Sequence, residues 1–301
     1  MIDIIISSYR EPKATLRAVK SFLRQKIKEE FKIIVVDPFS ETEEFLEKNL
    51  NSRNVEFFLD PGEGKSYALN LLFQEHGSSN TNDIFILTDG DVYVSDNVLE
   101  EILKKFKDPK IGCVTGKPVS INPKNTKYGY WSNLFFEGIH RARSELSKQG
   151  KFFECSGYLF AIRKGVLFDF PLGACEDAII SHLFWKKGYK IAYAEKAEVY
   201  VKNPSNWEDW TNQKIRNIKG HENLNRLISG APRTKSFFNE IRWGAFFALF
   251  YPKNLKEFFW NIEAYFARLY IYFKAFSEIN SNKIYADGWR VKETPTTRTL
   301  D

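Results

Sequence analysis

Residues 84–91 read Ile84-Phe85-Ile86-Leu87-Thr88-Asp89-Gly90-Asp91 and are the strongest guide to the fold. The four consecutive apolar residues predict a buried strand, and the two carboxylates then leave the sheet at its carboxyl edge. Two carboxylates in one turn can face a divalent ion with oxygen ligands, which would also bind a diphosphate. Acidic turns with a glycine are common, so the motif needs support from the rest of the chain.

The first 120 residues supply that context, because short β-branched runs alternate with longer stretches of helical apolar spacing. This alternation predicts an α/β fold with a mostly parallel sheet covered by helices on both faces. Asp96 is expected to cap the fourth helix. The predicted strands are Ile2–Ser7, Lys32–Asp37, Val55–Leu59, Ile84–Thr88 and Gly112–Gly116, and the predicted helices are Lys13–Gln25, Glu41–Asn49, Ser66–Glu75 and Asp96–Phe106.

The later part of the chain divides into three regions. Residues 128–225 combine a long helix with strands at Phe160–Arg163 and Ile191–Ala194, followed by a helix over Trp207–Arg226. We therefore expect a catalytic domain over 1–226, with a nucleotide-binding part at 1–120 and an acceptor part at 121–226. An aromatic, amphipathic helical region is expected over 227–291, and a disordered tail over 292–301.

Composition limits the classes of function. The net charge of +6 favours an anionic ligand or an anionic membrane surface over nucleic acid as the partner. Three widely separated cysteines indicate neither a disulfide framework nor a zinc site, so we expect a reducing, cytoplasmic location. Residues 1–9 read as a buried strand, not as a signal peptide, and no apolar run approaches the ~20 residues of a membrane span.

Gly62-Glu63-Gly64-Lys65-Ser66 resembles phosphate-binding loops only in part. A P-loop would need glycine at position 59, which is Leu59, and a dinucleotide fingerprint would need a small residue at position 67, which is Tyr67. A flexible turn remains, with a lysine that can reach a phosphate at a helix N-terminus. A plain helix-capping loop is the alternative.

A second acidic pair, Glu176-Asp177, precedes the apolar stretch Ala178–Trp185. Either carboxylate can simply complement the dipole of that helix. A reaction that needs both a metal site and a general base would also use two separated acidic pairs. The four histidines show no ligand spacing, and we expect them to be surface or packed residues.

Taken together, these segments resemble glycosyltransferase family 2, the inverting GT-A group that includes the membrane-bound synthases of cellulose, chitin and hyaluronan. The resemblance spans roughly residues 1–226 and rests on seven motifs in order. They are residues 5–11 for the opening strand and turn, Val35-Val36-Asp37, Gly64-Lys65 with Ala68-Leu69-Asn70, Asp89-Gly90-Asp91, Cys155-Ser156-Gly157 with residues 161–164, Cys175-Glu176-Asp177, and Gln213-Lys214-Ile215-Arg216 with Gly220.

The resemblance implies a metal-dependent transfer from a nucleotide diphosphate sugar. Asp91 and Asp89 would hold Mg²⁺ or Mn²⁺ against the diphosphate, and Asp177, preceded by Glu176, would be the base that deprotonates the acceptor. Ser156 and Gly157 would lie on the acceptor side. The donor would contact Ser8, Tyr9, Glu11, Asp37, Lys65, Asp89, Gln213 and Arg216.

Three positions depart from the family pattern. Arg10 replaces an Asn in the opening turn, Cys175 replaces a Thr, and Asn217 replaces the Trp that lies against the acceptor sugar in the polymerising members. The last departure favours single sugar transfers over polymer synthesis. Trp207 and Trp210, upstream in the same predicted helix, are candidates to replace that contact.

Aromatic residues concentrate in the C-terminal third of the chain. On a helical wheel of 255–276, the charged residues gather on one side and the large apolar residues on the other, while charges every few residues exclude a span. The apolar side can pack on the catalytic domain. Alternatively, together with residues 246–251, it can lie in a membrane interface, so residues 237–276 are a candidate membrane contact.

The sequence therefore predicts a peripheral membrane enzyme on the cytoplasmic face. It would move a sugar, most commonly from a UDP-sugar in the resembling group, to a lipid-linked or glycan acceptor. Two other functions remain open. A nucleotidyltransferase can share a metal-binding acidic pair at a strand end, and a nucleotide-sugar or carbohydrate binding protein can keep the fold without turnover.

Overall fold

The computed structural model describes residues 1–173, 175–228, 237–240, 244 and 246–281. The predicted tail, 292–301, lies outside the described residues, as do residues 229–236, 241–243, 245 and 282–291 of the predicted helical region. The strands are β1 Ile2–Ser7, β2 Phe31–Asp37, β3 Val55–Leu59, β4 Ile84–Asp89, β5 Tyr93–Val94, β6 Ile111–Ser120, β7 Leu159–Arg163 and β8 Lys190–Val201. The helices are α1 Pro12–Leu23, α2 Ser40–Asn49, α3 Lys65–Glu75, α4 Val98–Phe106, α5 Lys127–Lys148, α6 Glu176–Lys186, α7 Trp207–Leu227, α8 Phe237–Glu240, α9 Phe246–Leu249 and α10 Leu255–Asn280.

All eight strands form one mixed sheet in the order β3-β2-β1-β4-β7-β6-β8-β5. The block β3-β2-β1-β4 is parallel, as the alternation of strands and helices predicts. β7 runs antiparallel to both of its neighbours, β4 and β6. The beginning of β7 therefore lies at the same edge of the sheet as the carboxyl ends of β1 and β4.

The sheet is buried on both faces, and successive residues of β1 show why. Ile4 and Ile6 pack in a core on one face with α1 and α4, whereas Ile5 packs on the opposite face with α3 and α6. Side chains alternate between the two faces of a strand, so an unbroken apolar run such as residues 4–6 suits a strand with helices on both sides. This is the predicted α/β architecture.

The start of α4 differs from the prediction. Asn97, not Asp96, occupies the N-cap position. The Asp96 carboxylate lies 3.6 Å from Nε of Arg24 and is exposed. Instead of the expected capping bond, Asp96 thus forms an exposed ion pair with Arg24, the residue that follows α1.

α10 packs against α5 and α7 through small residues. Ala264, Ala267 and Ile271 share a third core with Trp131 of α5 and with residues of α7. The large aromatic residues on the other side of α10 stay exposed: Phe266 is 68% and Phe273 is 77% accessible. The helix thus packs on the catalytic domain through its small residues and not through the large apolar side that the helical wheel predicts, and contact with a membrane stays a prediction.

Within the residues that the structure describes, no helix is both long and apolar enough to cross a membrane.

Candidate active site

A cavity of about 1210 Å³ opens where β1 and β4 end. Ser7 of β1 is in register with Asp89 of β4, so the two strands finish at the same level. The cavity wall also includes residues from the beginnings of α3 and α6 and from the middle of α7. The carboxyl edge of the sheet is the usual binding site in open α/β folds.

Lys65 is the centre of the charged network in this cavity. Its Nζ lies 2.6 Å from Oδ1 of Asp89 and 2.6 Å from Oε1 of Glu176. Burial alone would lower the pKa of Lys65, but the two carboxylates outweigh it and raise the pKa. Burial likewise opposes the change at Glu176, where Lys65 and Arg216 bring the pKa below its usual value. Lys65 is therefore a cation between two carboxylates, one from each acidic pair.

Glycine has a structural role in two of the loops that build this network. Gly64 precedes α3 with φ 108° and ψ 159°, a conformation that is essentially restricted to glycine. The N–H of Gly90 donates to the carbonyl of Ser7, and an added Cβ at Gly90 would lie 3.1 Å from Cβ of Ser8. These contacts let the turn that carries Asp89 and Asp91 pack closely on the end of β1.

Asp177 enters the cavity from the first turn of α6. Its Oδ2 accepts a hydrogen bond of 2.7 Å from the N–H of Gly157, and its Oδ1 accepts one from the N–H of Ala178. Gly157 and Ser156 lie just before β7, at the edge to which the reversed direction of β7 brings them. The two amide donors fix the orientation of a carboxylate that lines the cavity.

α7 contributes Gln213 and Arg216 to the same wall. Gln213 is 2% exposed, and its Oε1 has no hydrogen-bond partner among the residues described. Burial lowers the pKa of Arg216, whose charge interacts with Tyr158, Asp89 and Glu176. Tyr158 lies among these charges, and its burial together with Asp91 and Asp89 raises its pKa, so it stays a neutral phenol.

Ser8, Tyr9 and Glu11 form the wall on the side of β1 and β2. Asp37 was expected beside them, but it is fully buried and does not line the cavity. Its Oδ2 accepts from the N–H of Arg10 and from Oγ1 of Thr42, and its Oδ1 accepts from the N–H of Phe39. Asp37 thus holds the loop that presents Tyr9.

Two residues that depart from the family pattern have strained backbones. Arg10 has φ 57° and Cys175 has φ 75°, both in the left-handed region that L-residues with a Cβ avoid. Asn tolerates this region better than most residues, which gives a physical reason for the Asn expected in place of Arg10. Both residues flank cavity loops, where local strain is often retained.

The structure brings most predicted site residues together, but not Asp37 and not the two tryptophans. Trp210 is 1% exposed and packs against Trp131, and Trp207 lies against Tyr270 of α10. Neither lines the cavity. The predicted residues that do line it are Ser8, Tyr9, Glu11, Lys65, Asp89, Asp91, Ser156, Gly157, Glu176, Asp177, Gln213 and Arg216.

Two histidines are packed, as expected, around a buried carboxylate. Nε2 of His182 lies 3.4 Å from Oε1 of Glu154, and Nδ1 of His221 lies 3.5 Å from Oε2. Among the described residues, no group of three or more His, Cys, Asp and Glu side chains is placed to hold a metal ion by itself.

Sequence reasoning missed other residues of the wall. Asp60 directly follows β3 and lines the cavity, and burial together with Asp37 and Glu63 raises its pKa. The sequence places Asp60 at the carboxyl end of a predicted strand, but this signal alone did not select it as a site residue. Tyr158 and Arg143 carry no such signal, because only the packing of α5, β7 and α7 brings them to the cavity.

The architecture defines the class of the protein, a GT-A glycosyltransferase fold. The crystal structure of GalNAc-T7 with UDP, GalNAc and Mn²⁺ matches 84% of this chain and 58% of that one, with a TM-score of 0.50 and 17% identity. This match concerns the fold alone. The sequence model of the family described as glycosyl transferase family 2 matches residues 3–169, which is more than half of the 301 residues. The chain therefore belongs to that family.

The chain is also similar in sequence to a synthase and to a probable glycosyltransferase from bacteria. Hyaluronan synthase of Streptococcus pyogenes is 29% identical over 178 residues, which is 55% of this chain and 41% of the synthase. The probable glycosyltransferase YdaM of Bacillus subtilis (strain 168) is 27% identical over 203 residues, 62% of this chain and 44% of YdaM. The chain thus spans less than half the length of these curated relatives.

Proposed function

We propose that this protein is an inverting glycosyltransferase that moves a sugar from a nucleotide diphosphate sugar to a hydroxyl or phosphate of a lipid-linked or glycan acceptor. The observation that carries the proposal is the position of Asp177 in the same cavity as the Lys65–Asp89 pair. The Lys65–Asp89 pair offers charged groups for a diphosphate and its metal ion. Asp177 offers a carboxylate whose orientation is held by the Gly157 N–H. A UDP-sugar is the favoured donor because such donors are common in the resembling family.

Asp89 and Asp91 fit a divalent ion that arrives with its diphosphate. Mg²⁺ is commonly bound through one or two carboxylates plus substrate phosphates, and Asp91 lines the cavity beside Asp89. Mn²⁺ suits the same oxygen ligands. Bound there, the ion would stabilise the charge that develops on the leaving diphosphate.

Lys65 and Arg216 act on that leaving group as well. Both are cations in the cavity wall, and both interact with Asp89. Positioned cations stabilise charge where it develops in a transition state. Ser8, Tyr9 and Glu11 then contact the nucleoside, in a loop that Asp37 holds from behind.

Asp177 is the general base that removes the proton from the acceptor. Glu176 is less suited, because its Oε1 is already 2.6 Å from the Lys65 ammonium. The deprotonated acceptor oxygen attacks the anomeric carbon from the face opposite the nucleotide, and the nucleoside diphosphate leaves. A single displacement of this kind inverts the anomeric configuration.

Asp177→Asn tests this role. We expect turnover to fall by roughly 10²-fold or more, the usual weight of a general base, while the affinity for UDP stays unchanged. Asn keeps the size of the side chain and one acceptor oxygen for the Gly157 N–H. Turnover equal to that of the wild type in a coupled assay for nucleoside diphosphate would remove Asp177 from the mechanism.

Transfer of single sugars fits the cavity better than polymer synthesis. Asn217 lines the cavity where the polymerising members of the family carry a Trp against the acceptor sugar. An amide offers far less stacking surface than an indole. Product analysis by mass spectrometry tests this point: one added sugar per acceptor agrees with it, and a ladder of products contradicts it.

We further propose contact with the cytoplasmic face of a membrane through the described part of 237–276. Phe246, Phe250, Phe266 and Phe273 are all more than two-thirds exposed on α9, α10 and the turn between them. Exposed aromatic residues of this kind anchor helices in the membrane interface, and exposed cations such as Lys256 favour anionic headgroups. The chain has three cysteines and no disulfide among the described residues, which suits a reducing compartment.

Flotation with anionic liposomes tests this contact. The wild type should float, and the double variant Phe266→Ser/Phe273→Ser should float several-fold less, because it removes two aromatic anchors. Leu59→Ser is the matched control, since Leu59 is 58% exposed on β3. Equal flotation of all three proteins would contradict the assigned surface.

A further inference from the structure

The active-site cavity continues into a region that the transfer chemistry does not use. We name this region the helical lobe, and its wall includes Ile139, Arg143 and Leu146 of α5, Phe247 of α9, and Tyr265 and Leu269 of α10. Five of these six side chains are aliphatic or aromatic. The lobe is therefore suited to an apolar chain, and its wall also holds two arginines, Arg143 and Arg268.

Arg268 is paired with Glu240, whereas Arg143 forms no ion pair with the described residues. Arg143 is 8% exposed, and within the described part of the chain its Nη1 has no hydrogen-bond partner. No carboxylate of the described residues lies within ion-pair distance of its guanidinium. A buried charge without a partner lowers stability, so a position of this kind is retained at a cost to the fold.

The mouth of the helical lobe lies beside the exposed aromatic side of α10. Leu269 lines the lobe and is 50% exposed, and Phe266 and Phe273 flank it at positions i−3 and i+4. Residues at these spacings share one face of a helix. A chain that left a membrane interface at this face would enter the lobe directly.

We propose that the helical lobe binds an amphiphile that carries a phosphate on an apolar chain, with the phosphate on Arg143 and the chain along the apolar wall. The lobe is then the acceptor site of the enzyme, so this assignment rests on the function proposed above. A guanidinium matches phosphate geometry through parallel N–H donors, and burial strengthens such a pair. The shared chemistry is a phosphomonoester on a long chain, either an isoprenoid carrier or a membrane phospholipid.

Binding of farnesyl phosphate to the full-length chain tests the assignment. Farnesol and inorganic phosphate each supply half of the ligand, and both should bind much more weakly. Arg143→Met should weaken farnesyl phosphate by about 30-fold or more, the usual effect of removing one partner of a buried charge pair, and leave farnesol unchanged. Arg143→Lys should recover part of the loss. Equal affinity of Arg143→Met and wild type for farnesyl phosphate would overturn the proposal.

A stability measurement separates ligand binding from a structural role for Arg143. If the residue serves a ligand, Arg143→Met should unfold at a temperature equal to or above that of the wild type, because an unpaired buried charge has been removed. A clear loss of thermal stability would instead assign Arg143 to the packing of α5. Lys148→Gln, an exposed position on the same helix outside the cavity wall, is the charge control.

Two further arms complete the design. Leu269→Ser at the mouth should weaken farnesol and farnesyl phosphate alike, since it removes apolar contact and no charge, and unchanged affinities would contradict the position of the chain. A short-chain phosphatidic acid, compared with farnesyl phosphate, identifies which source binds more tightly. Release of nucleoside diphosphate from the donor is measured separately, so failure of the transferase assay and failure of the lobe are distinguishable.

Discussion

Two lysine–aspartate pairs lie at opposite edges of the sheet, and only one of them borders the cavity. At the amino edge, Nζ of Lys164 lies 2.5 Å from Oδ2 of Asp3, and both side chains are almost fully buried. At the carboxyl edge, Nζ of Lys65 lies 2.6 Å from Oδ1 of Asp89, which is 30% exposed. The chemistry of the two pairs is the same, but their surroundings differ.

We call Lys164–Asp3 at the amino edge the closed pair and Lys65–Asp89 at the carboxyl edge the open pair. In the closed pair, one buried cation is neutralised by one buried carboxylate. The open pair is unbalanced: Lys65 also meets Glu176, and Asp91 and Asp177 line the same cavity. Negative charge at the open edge suits a metal ion, and the cations Lys65 and Arg216 suit a diphosphate. We therefore expect substitutions at the closed edge to change stability and those at the open edge to change ligand binding.

Breaking the closed pair should give the largest effect on stability. Lys164→Met leaves Asp3 buried without its cation, and we expect a loss of about 3–5 kcal/mol in the free energy of unfolding. The double variant Asp3→Leu/Lys164→Met should recover most of that loss, because no charge remains buried alone. Urea titrations measure both values, and a single variant as stable as the wild type would contradict the comparison.

The corresponding change at the open edge should act mainly on the donor. Lys65→Met is expected to lower the affinity for a nucleoside diphosphate by about 2 kcal/mol, the low end for removing one partner of a charged contact. Its loss of unfolding free energy should be well below that of Lys164→Met, since the cavity leaves the carboxylates open to water. Calorimetry measures the affinity and urea titration the free energy of unfolding, both on the same samples. A larger loss of stability in Lys65→Met than in Lys164→Met would contradict the comparison.

The pH dependence of stability gives a smaller effect with a defined sign. The folded-state pKa of Glu176 lies below 4.5, so its carboxylate stabilises the fold above that pH and loses this contribution as the pH falls through the lowered pKa. Glu176→Gln should therefore be less stable than the wild type at about pH 7, and the gap should narrow by about pH 3. Thermal melts at both pH values measure the gap, and a constant difference would exclude this linkage.

The smallest effect concerns the backbone beside the open edge. Arg10→Gly should raise the free energy of unfolding by about 1 kcal/mol relative to Arg10→Ala, because only glycine relieves the left-handed conformation at φ 57°. Both variants lose the ion pair with Glu41, so their difference isolates the strain. Equal stabilities would show that the loop relaxes without help from glycine.

Much of the open edge could be predicted from sequence, because it depends on local signals. The apolar run at 84–87 fixed the strand, and its end fixed the position of Asp89. β1 and β3 have the predicted bounds, and the other predicted strands of the first 120 residues begin or end within a few residues of their predicted positions. The Gly64-Lys65 turn was also correctly expected at a helix start.

The direction of a strand could not be predicted in this way. The motif that includes Arg163 and Lys164 resembled an acceptor-side stretch, yet β7 is antiparallel to β4 and carries these residues to the amino edge. There, the guanidinium of Arg163 donates to the carbonyls of Ile111 and Phe106. Ser156 and Gly157, before the same strand, reach the active site for the same reason.

The orientation of α10 is a second example. A helical wheel separates apolar from charged residues, but residue size decided which side packs. Ala264 and Ala267 allow close approach to α5 and α7, whereas the bulky Phe266 and Phe273 face outward. Hydrophobicity alone predicts that the large apolar residues of α10 pack inward. The burial of Trp210 against these helices could not be predicted either, because it depends on how α5, α7 and α10 pack together.

Release of nucleoside diphosphate by the full-length chain is the most direct test of the central claim that the open edge transfers a sugar. A panel of UDP- and GDP-sugars is incubated with Mg²⁺, Mn²⁺ or EDTA, for the wild type and for Asp91→Ala. The account predicts release from at least one donor with a metal ion, and loss of that release with EDTA and in the variant. Release from no donor, or equal release in EDTA, would contradict it.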